Sequence, residues 1–280
     1  MKNWLQILIR VKNSIKDNHI TLVAAAMSYY ALFALVPAIT SLILTYAWVS
    51  DPKEIVLQID KIAFLMPVEM QNFLKSQLVG LASKAPNSIG IGAMATLLFS
   101  LWSASKGSKA VMEALNIIYH EKEQRKLIKR AFISLALTFL GVILAIISLS
   151  GVIIIPAAFS FFHLKESLKF LVTLSTWIVL LGVFSFYLAC MYRIGPNRNL
   201  QGWKGVRWGA MVASIFWLIV SALFSWYASK FAHFNKTYGS LGAIIGVMTW
   251  FYITSFIILM GAQLNAELEK FNNDMTTSHQ

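Results

Sequence analysis

Lys106, Lys109, Glu113 and Asn116 follow one another at spacings of three, four and three residues. On a continuous helix these spacings put all four on one polar stripe, and Lys109 and Glu113 can pair at i, i+4. Trp102 and Tyr119 bracket the stripe. Facing a cavity between helices, its lysines suit an anion such as a phosphate. The alternative is an interfacial helix that wets its polar face, with Lys106 snorkelling to lipid headgroups. Immediately after it, Lys122, Arg125, Lys126, Lys129 and Arg130 outnumber Glu121 and Glu123. That segment reads as a topogenic anchor or as a site for anionic headgroups, at roughly 1 kcal/mol per basic residue near the surface. Arg193 and Arg198 flank Gly195-Pro196-Asn197, a turn signal. Both serve as anchors at the membrane edge or offer a bidentate fork to phosphate.

Other chemistries find less support. The five histidines, His19, His120, His163, His233 and His279, are far apart, and no H-E-x-x-H pattern occurs. The single cysteine, Cys190, excludes an intrachain disulfide and a cysteine zinc site. No catalytic residue, metal ligand set or cofactor is assigned. Metal-dependent phosphodiester hydrolysis needs carboxylates and histidines converging on metal ions, so nuclease activity is not expected.

The elements that carry these residues follow from composition. Of 280 residues, 58% are hydrophobic and 13% charged, against roughly 45–50% and about 25% in soluble domains. Mean hydropathy is +0.65. The charges crowd into short segments between uncharged runs, because an ionised group at mid-span costs roughly 2.5–3.5 kcal/mol. Six runs lack Asp, Glu, Lys and Arg: 20–50, 85–105, 131–162, 170–192, 208–229 and 237–266. Each is long enough to span a bilayer. The expected fold is therefore one all-α polytopic membrane domain over 1–280 with six transmembrane helices. Five is the fallback if 85–105, with Pro86, Gly90 and Gly92, does not cross. The first run has 31 residues, too long for a signal-peptide core, and is read as a retained helix bent at Pro37. The absence of carboxylates from all six runs argues against a proton relay at mid-membrane.

On this topology one face holds sixteen Lys and Arg and the other eight. Both termini, 1–19 and 267–280, are expected as cytoplasmic tails. The net charge of +12 then faces anionic lipid headgroups on the cytoplasmic side, and no nucleic-acid partner is expected. The external segment 51–84 places Ile55, Ile59, Ile62 and Met66, then Met70, Leu74, Leu78 and Leu81, at helical spacing. It is predicted to form two short amphipathic helices, as cover or as a lid. Gly239, Gly242 and Gly246 open the last run and permit close helix approach, within the bundle or at a homo-oligomer seam.

Several segments carry a resemblance. They are Ala24-Ala25-Ala26-Met27-Ser28-Tyr29-Tyr30 with Pro37, Trp102 with Ala114-Leu115-Asn116-Ile117-Ile118-Tyr119, and Tyr192-Arg193 with Pro196-Asn197-Arg198. Tyr238-Gly239-Ser240-Leu241-Gly242-Ala243, and Trp250-Phe251-Tyr252 with Gly261-Ala262-Gln263-Leu264-Asn265-Ala266-Glu267, complete the set. Together, over roughly 15–270, they resemble the YihY/BrkB family of bacterial inner-membrane proteins. Gln263 departs from the pattern, which carries an acidic residue there. The resemblance implies a six-helix inner-membrane protein, once labelled ribonuclease BN and linked to serum resistance and envelope-lipid movement. It implies no catalytic motif. The expectation is a transporter or flippase of lipid or envelope components. The alternatives are a non-transporting scaffold for envelope machinery, and an enzyme or channel of another kind.

Overall fold

A computed structural model describes residues 2–47, 89–161, 166–198, 202–230 and 240–277. These form seven helices and contain no strand: α1 (Lys2–Asp17), α2 (Ile20–Ala47), α3 (Ile89–Ile118), α4 (Leu127–Phe161), α5 (Glu166–Ile194), α6 (Trp203–Lys230) and α7 (Ser240–Thr277). The segment predicted as two external helices, 51–84, lies outside the described residues.

Among the described residues, four stretches are long and apolar enough to cross a membrane: Leu127–Ser148, Leu174–Ile194, Gly205–Phe224 and Ile245–Asn272. A shorter apolar stretch, Ile20–Ala34, lies in α2. The packing is a closed ring. Each of α2 to α6 lies against the next helix in the chain, and α7 returns to α2. Large apolar side chains point outward, among them Phe99, Phe132 at 72% exposed and Ile178 at 61%. An outer surface of this kind belongs in lipid, where every backbone group must find its partner within the helices.

The interior is closed by small residues and short side-chain bonds. Where α6 crosses α7, a Cβ on Gly209 would collide with the Gly261 carbonyl, and one on Gly261 would meet Ala213 Cβ at 2.7 Å. The backbones touch because neither position carries a side chain. Asn265 fastens this crossing by accepting from the Gly209 N–H at 2.7 Å and donating to the Val206 carbonyl at 3.1 Å. Tyr192, fully buried on α5, donates to the Ile258 carbonyl of α7 at 2.7 Å. Buried hydroxyls such as Ser28, Ser105 and Ser214 bond back to carbonyls one turn earlier.

The described helices add three features to the sequence reading. Residues 1–19 are not a plain tail: Ile7, Val11 and Ile15 make an apolar stripe that packs α1 on Leu264, Leu268 and Phe271 of α7. Likewise α7 continues past 266 to Thr277, so the second tail is largely helix. A close glycine approach within the bundle occurs at Gly209 and Gly261, and at Gly246 a Cβ would meet nothing within 4 Å. Gly239 lies outside the described residues, and the surroundings of Gly242 do too.

Candidate functional site

The stripe Lys106–Asn116 does lie on one continuous helix, but the fold divides it between two places. Lys106, Lys109 and Glu113 line an open cleft of about 460 Å³ between α2, α3 and the start of α4. Its apolar wall includes Val23, Met27 and Ile117, and Tyr30 stands at the wall from α2. Arg130 enters from the first turn of α4 and forms the ion pair with Glu113. The Lys109–Glu113 pair expected from i, i+4 spacing is thereby replaced: the next helix delivers a guanidinium that takes the carboxylate.

The electrostatics of the cleft are one-sided. Lys106, Lys109 and Arg130 face a single carboxylate, Glu113. The Lys106 ammonium lies 5.3 Å from the Trp102 ring centre, a cation–π contact. Among the described residues, Lys109 has no ion-pair partner. The Nε of Arg130 is buried without a hydrogen-bond partner. The first turn of α4 carries no acidic residue to offset its N-terminal partial charge. Positive potential beside an apolar wall is what an amphiphilic anion requires.

Asn116, 3% exposed, turns inward to a different cluster. It accepts from the Asn197 backbone N–H at 2.7 Å and donates to Glu123 at 3.2 Å. Asn197 in turn donates from its side chain to the Lys122 carbonyl at 2.7 Å. Glu123 accepts from Arg125 Nη2 at 2.7 Å, Nε at 2.8 Å and the backbone N–H at 3.1 Å. The hydrogen-bonded Arg125 guanidinium holds the Glu123 carboxyl down at about 2. Arg125 also donates to the Gly195 carbonyl at 2.7 Å, capping the end of α5. The α3–α4 connection is thus bolted to the α5–α6 turn.

The connection starts with a Schellman close. His120 takes the left-handed conformation with φ 55°, its N–H donates to the Ile117 carbonyl, and the Glu121 N–H reaches back to the Asn116 carbonyl.

Arg193 and Arg198 do not join the cleft. Arg193 stacks on Trp203 at 4.5 Å, pinning the end of α5 to the start of α6. Arg198, its side chain 9% exposed, bonds Glu269 of α7 at 2.7 Å and lies 3.7 Å over the Tyr119 ring. A third cluster, not singled out from the sequence, joins α1 to α7. Glu267, buried, accepts from Ser14 at 2.9 Å and Gln263 at 3.1 Å, and Asn18 donates to Gln263 at 2.9 Å. Gln263, the departure from the family pattern, is therefore a bridging amide. Among the described residues no three His, Cys, Asp or Glu side chains come together as a metal site.

The sequence model of the family described as virulence factor BrkB matches residues 11–280. Among similar proteins, the ribonuclease-like protein YfkH of Bacillus subtilis is 31% identical over 256 residues, 88% of this chain and 89% of that one. The UPF0761 membrane protein NTHI0384 of Haemophilus influenzae is 21% identical, over 92% of this chain and 93% of its own length. That of Idiomarina loihiensis is 25% identical, over 72% and 68%. No solved structure matches the chain significantly.

Proposed function

This chain belongs to the BrkB family of membrane proteins, and from that premise we propose that it is a transporter or flippase of lipid or envelope components. The observation that carries the reading is the cleft, where Lys106, Lys109 and Arg130 oppose one carboxylate beside an apolar wall. A lipid offers the matching parts, an anionic headgroup and an apolar body. The ring supports six spans, since α2 and α3 take equal places in it with the four long apolar helices. In an alternating ring, the cleft, the Glu123–Arg125 lock and both termini share one end. Its basic excess supports a cytoplasmic orientation of that end in the bacterial inner membrane, with anionic headgroups as partners.

No enzymatic role is proposed. The ribonuclease-like name belongs to the Bacillus relative. Metal-assisted hydrolysis needs converging ligands, and the charged groups of this cleft are mostly cations.

The test is lipid movement in proteoliposomes holding the full chain and a fluorescent anionic lipid, read by dithionite quenching. The wild type should speed exchange between leaflets over empty vesicles, and Lys109→Ala should slow it several-fold. Exchange no faster than in empty vesicles would count against transport and favour a scaffold.

A further inference from the structure

We propose that Glu113 is the resident competitor for an anionic headgroup in the cleft, and that the group it yields to is a phosphate monoester on a lipid. The inference deepens the reading of the cleft as a headgroup site and rests on it.

A guanidinium presents Nε and Nη2 side by side as a fork for two oxygens. Glu113 takes only Nη2, and Nε is buried with no partner. A buried donor left without a partner is costly. The fork is therefore half filled by an acceptor from its own protein. A phosphate, with oxygens on every side, fills both prongs.

Glu113 is the more exposed member of the pair. Its side chain is 48% exposed, whereas that of Arg130 is 24% exposed. The carboxylate can swing to water and be hydrated there, so an ion pair of this kind contributes little. Arg130 is the more enclosed member and keeps its need for an anion.

The charges of the cleft favour a monoester over a diester. With Glu113 swung out, Lys106, Lys109 and Arg130 leave the cleft three positive charges. A phosphate monoester carries about −1.5 to −2 near neutral pH, and a diester carries one negative charge. The monoester compensates up to two of these charges and the diester one, so the diester leaves more positive charge uncompensated beside an apolar wall. A single inorganic phosphate uses little of about 460 Å³ and none of the wall made by Val23, Met27 and Ile117. The apolar wall favours a phosphate borne by a lipid.

The experiment is native mass spectrometry of the detergent-solubilised full chain, titrated with phosphatidate and, separately, phosphatidylglycerol. Wild type should bind phosphatidate about five- to tenfold more tightly than phosphatidylglycerol, the range of one charge-assisted contact. Glu113→Gln should tighten phosphatidate several-fold. Arg130→Lys, which keeps the charge and loses the fork, should weaken it about tenfold. If Lys109→Ala and Arg130→Lys both leave binding unchanged, the headgroup reading of the cleft fails. If they weaken binding but Glu113→Gln does not tighten it, that reading stands and the competitor role is overturned. Equal affinity for the two lipids overturns the monoester assignment. Displacement of phosphatidate by an equal concentration of inorganic phosphate overturns the lipid source, and resistance to it supports that source.

Discussion

The Asn116 side-chain oxygen accepts the backbone N–H of Asn197 at 2.7 Å, across 81 positions of sequence. One amide joins the end of α3 to the turn after α5, and its NH₂ group simultaneously reaches Glu123. An amide suits this place because it must accept on one side and donate on the other.

Asn116→Ala would leave the Asn197 N–H without its acceptor and Glu123 without one donor. The expected cost is about 1–3 kcal/mol, the range for orphaning buried polar groups. Asn116→Asp would destabilise as well, since it sets a second carboxylate against Glu123. Thermal unfolding in detergent, followed by intrinsic fluorescence, should show both variants melting below wild type. Melting unchanged in Asn116→Ala would mean that the link carries no stability.

Glu123 sets a pH signature. Its folded-state carboxyl is lowered from 4.5 to about 2, first by the Arg125 hydrogen bond. A group depressed in this way stabilises the fold fully above about 4.5. That contribution is lost as pH falls from there towards 2, because the folded state must then take up the proton. The fall in melting temperature across this window should be shallower in Glu123→Gln than in wild type. Parallel curves would remove Glu123 from the acid response.

At the α6–α7 crossing, Gly209→Ala and Gly261→Ala each force a methyl group against a neighbouring backbone or side chain. Overpacking of this sort costs about 1–3 kcal/mol, so both should lower the melting temperature and the yield of folded protein. Gly246→Ala, with nothing within 4 Å of its Cβ, should behave as wild type. Equal damage at all three positions would contradict this assignment of the close contact.

The apolar runs announce the helices because a bilayer punishes charge, and the polar stripe on α3 is visible from its spacing. Ile7, Val11 and Ile15 repeat every four residues, so α1 was legible too, but the basic residues around them suggest a tail. Glu267 closes the last uncharged run, yet the helix carries it on into a buried place against Ser14. The division of the stripe could not be read: nothing local to Glu113 or Asn116 announces Arg130 or Asn197. The same holds for the Gly209–Gly261 contact, since small residues 52 positions apart give no sign that they meet.

The most direct test of the account places a photo-crosslinking amino acid at Tyr30, on the wall of the cleft, and in a separate protein at Ile178, on the lipid-facing side of α5. Both are illuminated in membranes of known lipid composition, and the captured lipids are identified. The account predicts that Tyr30 captures anionic lipids well above their share of the membrane, that Ile178 captures lipids in proportion, and that Lys109→Ala abolishes the enrichment at Tyr30. The same lipid mixture captured at both positions would contradict it.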